Sequence, residues 1–130
     1  MNQASSSATC DITFPTNCEL ECTMKYHNIY KLLPQINGFN GYSSQDNENV
    51  LVLRDSSDPN AWNNRTTINN THLNDGINII QTNNNVGRII VNDTVLGTKN
   101  LLTSTQQLIL PSNTYANRKY SVKDIKVRQL

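Results

Sequence analysis

With 130 residues, a net charge of +1 and 16% charged residues, the chain is set apart from wholesale nucleic-acid binders and from acidic disordered segments. At this length one domain buries roughly two thirds of its unfolded surface and needs no covalent staples. Asparagine is the anomaly, at 21 residues against four alanines; it disfavours helix interiors and serves turns, so the composition favours strands and loops over helices.

Residues 1–7 read as a polar N-terminal arm, and residues 8–130 as a single β-sandwich domain. The start, MNQASSSA, has neither a basic n-region nor an apolar h-region, so no export signal is expected. The longest aliphatic runs, at 50–53 and 88–91, fall far short of a membrane span. A polar start and a last residue like Leu130 stay unordered unless tied down. Order at both ends would therefore point to other chains holding them.

Residues 8–26 alternate apolar and polar side chains on both sides of a short break, the pattern of a β-hairpin. Pro15 presets φ for the turn and Asn17 tolerates its left-handed end. If Phe14 opposes Cys18, then Ile12 faces Leu20 and Cys10 faces Cys22, which makes Cys10 and Cys22 the pair placed to form a disulfide. Cys18 and Cys22 lie about 13 Å apart along one strand and do not qualify. The same segment contains Thr16 and Glu19 at capping-box spacing, the competing reading of a helix over 17–33. Five alternations from Cys18 to Tyr26 favour the strand, with Cys18, Leu20, Cys22 and Met24 on one face.

After Asn28–Leu33, the stretch 34–49 reads as a long loop or irregular hairpin around Asn37-Gly38. Val50–Arg54 has the continuous apolar form of a strand buried on both faces. Asp55–Asn64 is turn material, Arg65–Ile68 an edge strand, and Asn74-Asp75-Gly76 a tight turn into Ile77–Thr82. Strands at Arg88–Asn92, Asn100–Leu110 and Tyr120–Val127 follow, with Gly97 and Pro111 as separators. Strand starts recurring every 10–12 residues or so predict an all-β, antiparallel sandwich, jelly-roll-like or Ig-like, of roughly seven to nine short strands.

The residues capable of chemistry do not assemble into a motif. Cys10, Cys18, Cys22 and His27 superficially resemble a zinc finger, but on an extended strand His27 points away from the thiols, and four tetrahedral ligands cannot be gathered from both faces. His27 and His72 lie in no catalytic signature, and there is no nucleophile elbow, phosphate loop or dinucleotide turn. Asp55, Asp58 and Asn60, with Asp46 and Glu48, offer oxygen ligands without the calcium-loop pattern. Sequons at Asn64, Asn69 and Asn92 are about as many as chance supplies in so Asn- and Thr-rich a chain. The expectation is a non-enzymatic protein without catalytic residues, metal or cofactor.

Two surfaces remain. Arg118, Lys119, Lys123, Lys126 and Arg128 against Asp124 put +4 on the last 13 residues and leave −3 on the rest. This is a basic contact patch for an acidic neighbouring subunit or, less in keeping with its few aromatics, for nucleic acid. Trp62, Tyr42 and Phe39, in neighbouring loops, form the alternative ligand platform. The leading expectation is a structural subunit of a larger assembly, such as a minor capsid, cement or fibre component of a virus particle put together in the host cytoplasm. The alternative is a secreted or surface β-sandwich that binds glycan or protein through those aromatics.

Overall fold

Asparagine sets the chain reversals. In a computed structural model that describes residues 6–10, 15–44, 46–47, 49–69, 73–102, 107–112 and 118–130, three two-residue loops have both residues left-handed. They are Asn37-Gly38 (φ 50° and 85°), Asn84-Asn85 (51° and 61°) and Asn92-Asp93 (47° and 70°). Positive φ at both centres is the type I′ signature, whose twist matches that of the flanking strands, and Asn enters this region at little cost.

Eleven strands occur among the described residues: β1 (Ser6–Cys10), β2 (Cys18–Tyr26), β3 (Gln35–Ile36), β4 (Phe39–Ser43), β5 (Val50–Asp55), β6 (Thr66–Asn69), β7 (Gly76–Asn83), β8 (Val86–Val91), β9 (Thr94–Asn100), β10 (Leu108–Ser112) and β11 (Tyr120–Gln129). They form two antiparallel sheets, ordered β1-β10-β3-β4-β5-β6 and β11-β2-β7-β8-β9. Without the two-residue β3, which only opens the Asn37-Gly38 hairpin, the sheets hold five strands each. No helix occurs among the described residues, and none is long and apolar enough to cross a membrane.

Each sheet is built on a meander, β3 to β6 in the first and β7 to β9 in the second, while strands from the chain ends fill the remaining places. The sheets face each other across one core. Ile36, Phe39 and Leu53 from the first and Leu20, Ile80 and Ile89 from the second are all essentially inaccessible. Gly87 on β8 lets them approach: a Cβ there would lie 2.5 Å from the ring of Phe39.

Buried polar groups are bonded into the seam. The Asn37 amide donates to Pro15 O and Thr82 Oγ1, both at 3.0 Å, and accepts from Gln107 N at 3.1 Å. The Asp55 carboxylate, 1% exposed, accepts from Ser57 N at 2.9 Å and from Leu102 N at 2.7 Å, holding the end of β5 against the segment after β9.

The alternation in residues 18–26 is as expected, with Cys18, Leu20, Cys22 and Met24 all buried on the core face of β2. The hairpin is not. β1 lies in the first sheet beside β10, and β2 in the second between β11 and β7, because alternation fixes which side chains share a face and says nothing of which strand lies alongside. Residues 11–14, where Ile12 and Phe14 sit, lie outside the described residues, as does His72.

The strand count exceeds seven to nine because the stretch 34–49, expected as a loop or irregular hairpin, carries β3 and β4, and because β9 (Thr94–Asn100) precedes the strand expected over 100–110, of which Leu108 onward is β10 in the other sheet. Gly97 is inside β9, and Pro111 inside β10, where β10 has run past β3 and only β1 lies beside it. Ser6 and Ser7, expected within the arm, pair with Ser112 and Pro111, and residues 1–5 lie outside the described residues. The C-terminus is held within the chain: β11 pairs along β2, and Leu130 N donates to Asn17 O at 3.0 Å. Its order calls for no other subunit.

Candidate functional site

The thiols do not form the expected bridge. Cys10 lies on β1 in one sheet, paired with Leu108, and Cys22 on β2 in the other, paired with Asn78. Cys22 is a free, buried thiol, and burial pushes it up to about 12. Cys18 is likewise free; burial raises its pKa against the opposing hydrogen bonds with Thr82 and Asn37. Both are packing groups and not nucleophiles. His27 is exposed and pairs with Ser121 Oγ at 2.6 Å. Among the described residues no three His, Cys, Asp or Glu side chains converge.

The oxygens in the 55–64 loop serve the loop itself. Asp58 Oδ1 accepts from Asn60 N and Oδ2 from Asn64 Nδ2, both at 2.8 Å. The Asn64 and Asn60 bonds hold the Asp58 carboxyl below its ordinary range.

The aromatic platform is dispersed. Phe39 lies in the core, 0% exposed. Tyr42, three residues along β4, is on the opposite face, with the Arg118 guanidinium 5.0 Å from its ring centroid. Trp62 alone is open, at 53%.

Arg118 in turn leaves the basic patch: it is 5% exposed, and Nη2 donates to Ser43 O at 3.0 Å. Burial lowers its pKa. It fastens the approach to β11 onto the first sheet, a role that its charge alone does not reveal.

The rest of the patch forms part of a larger face. Antiparallel register places directly opposed residues on the same side, so the solvent side of the second sheet can be followed strand by strand. One row runs Lys126, Glu21, Ile79, Ile90, Val95 across β11, β2, β7, β8 and β9. The row beside it runs Arg128, Glu19, Gln81, Arg88, Thr98, and on the other flank lie Lys123, Thr23 and Ile77. The β7–β9 side of the face therefore carries an apolar cluster: Ile77 and Val95 are 49% and 53% exposed, with Ile79 and Ile90 half-buried between them.

The other half is charged and ordered. Arg128 Nη2 meets Glu19 Oε2 at 2.9 Å, Gln81 Nε2 donates to Glu19 Oε1 at 2.7 Å, and Lys126 Nζ lies 3.7 Å from Glu21 Oε2. Sequence reasoning found the basic residues but missed the isoleucines. Their signal is the run Ile77, Asn78, Ile79, Ile80, in which strict alternation fails and apolar residues occupy both faces of β7.

Among the described residues two grooves open elsewhere. One of about 700 Å³ is lined in part by Tyr26, His27, Ile29, Lys31 and Asp75, and Asp75 Oδ1 accepts from Tyr26 N at 2.8 Å. The second, of about 390 Å³, lies under Trp62 with Asn40, Arg54, Asp58 and Asn60 in its walls. Comparison of the chain with known family models and with curated proteins returned no match.

Proposed function

We propose that the protein is a non-enzymatic structural subunit, a β-sandwich of jelly-roll-like kind that docks the solvent face of its second sheet onto an acidic surface of a neighbouring subunit. The apolar cluster of Ile77, Ile79, Ile90 and Val95, separated from basic β11 by β2, carries the reading. A sheet face turned to water alternates its apolar residues inward, and contiguous exposed apolar area in a polar rim marks contact surfaces. Five strands and three outward rows span roughly 24 by 20 Å. That flat area, about 480 Å², is somewhat over half of the ~800 Å² per partner of a standard interface.

Charge selects the occupant. Lys123, Lys126 and Arg128 are exposed along β11, and Lys119 just before it, against Asp124 alone on that strand, and the opposite border offers no matching acidic row, so a second copy is a poor complement. The jelly-roll-like reading draws on the chain alternating between sheets at both ends, from β1 to β3 and from β9 to β11. A minor capsid, cement or fibre component of a virus particle is the kind of role such a subunit fills, with the virion as its site of action.

The test is the native mass of the complex that the tagged full chain forms in its source. The expectation is a defined multi-subunit mass that dissociates as salt is raised and is lost in Val95→Lys and Ile77→Lys, while both variants melt with the wild type. A single-chain mass, or a complex indifferent to both substitutions and to salt, overturns the reading. Displacement of the partner by nucleic acid would assign the face to that ligand.

A further inference from the structure

On the opposite sheet, the geometry points to a binding site for a neutral saccharide in the groove beneath Trp62. The indole sits on a turn fixed by its own polar contacts. Asp58 holds Asn60 and Asn64 as described, Arg65 N donates to Trp62 O at 3.3 Å, and Arg65 Nη1 donates to the same oxygen at 2.8 Å. The Arg65 guanidinium lies 4.0 Å from the ring centroid. It stands over one face of the indole, and Trp62 is 53% exposed. A large apolar plane is thus held out toward solvent by a rigid loop instead of being folded under it. That arrangement is pre-organised for stacking.

The groove wall supplies the polar half. Asn40 on β4 and Arg54 on β5 are directly opposed across the ladder. Asn40 Oδ1 and Arg54 Nε are a buried acceptor and a buried donor without hydrogen-bond partners. Both residues line the groove, where their remaining polar atoms meet ligand hydroxyls that both donate and accept. Asn60 and Asn63 add further amides along the rim.

Arg54 and Asp58 both line the groove, so its walls carry one charge of each sign. A pyranose brings what these surfaces ask for: an apolar C–H face for the indole and a rim of uncharged hydroxyls for the amides. At about 390 Å³, the groove falls within the range of small-ligand sites.

Trp62 is the only tryptophan in the chain, so indole emission reports this groove alone. The full chain would be screened against an array of neutral and acidic glycans and the hits titrated by fluorescence. The expected result is saturable binding of a neutral oligosaccharide with a shift in emission, weakened at least tenfold by Trp62→Ala and severalfold by Asn40→Ala. Lys126→Glu, on the other sheet, should leave it unchanged. Because Trp62 is exposed, Trp62→Ala should melt with the wild type. Absence of binding across the array, retention of affinity in Trp62→Ala, or binding of acidic glycans alone overturns the assignment.

Discussion

Replacing Gly87 by alanine tests the closest approach of the two sheets. The added methyl would stand 2.5 to 2.6 Å from Cγ, Cδ1 and Cδ2 of Phe39, about 1 Å inside ordinary carbon contact. The ring is 0% exposed and begins β4 immediately after the Asn37-Gly38 turn, so it cannot retreat without moving a hairpin. Overpacking of this kind costs about 1 to 3 kcal/mol, and a clash with three atoms of a rigid ring belongs at the upper end.

An unfolding entropy near 2.1 cal/mol/K per residue turns ~3 kcal/mol into a fall in Tm of about 11 °C for a chain of this length. Gly97→Ala is the internal control. Its methyl meets the end of the flexible, half-buried Ile68 side chain on edge strand β6, which can swing aside at a cost below about 1 kcal/mol. Thermal unfolding followed by circular dichroism and calorimetry separates the two. Adding Phe39→Leu to Gly87→Ala should recover more than about 1 kcal/mol relative to additivity. Equal losses at Gly87 and Gly97, or strict additivity with Phe39→Leu, would refute the packing of β8 against β4.

Asp55→Asn should destabilise the fold by about 2 kcal/mol in chemical denaturation, since an amide cannot accept from both Ser57 N and Leu102 N as strongly as the carboxylate does. Amide exchange at Leu102 should speed up in the same variant. Stability should also fall in alkali. Burial pushes Cys22 and Tyr120 up to about 12 and raises Tyr26 further, so their neutral forms favour the folded state. That contribution is whole below the ordinary thiol and phenol values and is lost as pH climbs from about 9 toward 12. A denaturant series from pH 7 to 11 checks it, and a flat profile contradicts it. Cys18 and Cys22 should resist a thiol reagent in native buffer and react once the chain unfolds.

What was legible in the sequence was local. Asn37-Gly38 was readable as a reversal because its backbone requirement sits in the two residues themselves, and Val50–Arg54 as a strand buried on both faces because its apolar run is unbroken. Cys18 to Met24 showed their shared face through period two. The partners of these strands were not readable: Cys10 meets Leu108 and Glu19 meets Arg128, pairings about a hundred residues apart that depend on the order of strands in each sheet.

Gly97 and Pro111 misled for a related reason. A glycine within a strand can serve the packing of the opposite sheet, and a proline is tolerated where a strand has outrun one of its neighbours. The site was legible only in its charges. Lys123, Lys126 and Arg128 were visible as a basic strand, whereas the isoleucine row emerged from the register of β7, β8 and β9. Asn40 and Arg54 became neighbours of Trp62 only through the β4–β5 ladder.

Side-chain footprinting of the assembled complex against the free chain tests the docking face most directly. Oxidative labelling of Ile77, Ile79, Ile90 and Val95 and acetylation of Lys123 and Lys126 should fall severalfold in the complex, while Trp62 and Arg65 on the other sheet label equally in both. Unchanged labelling of the isoleucines and lysines, or protection confined to the Trp62 side, would contradict the account.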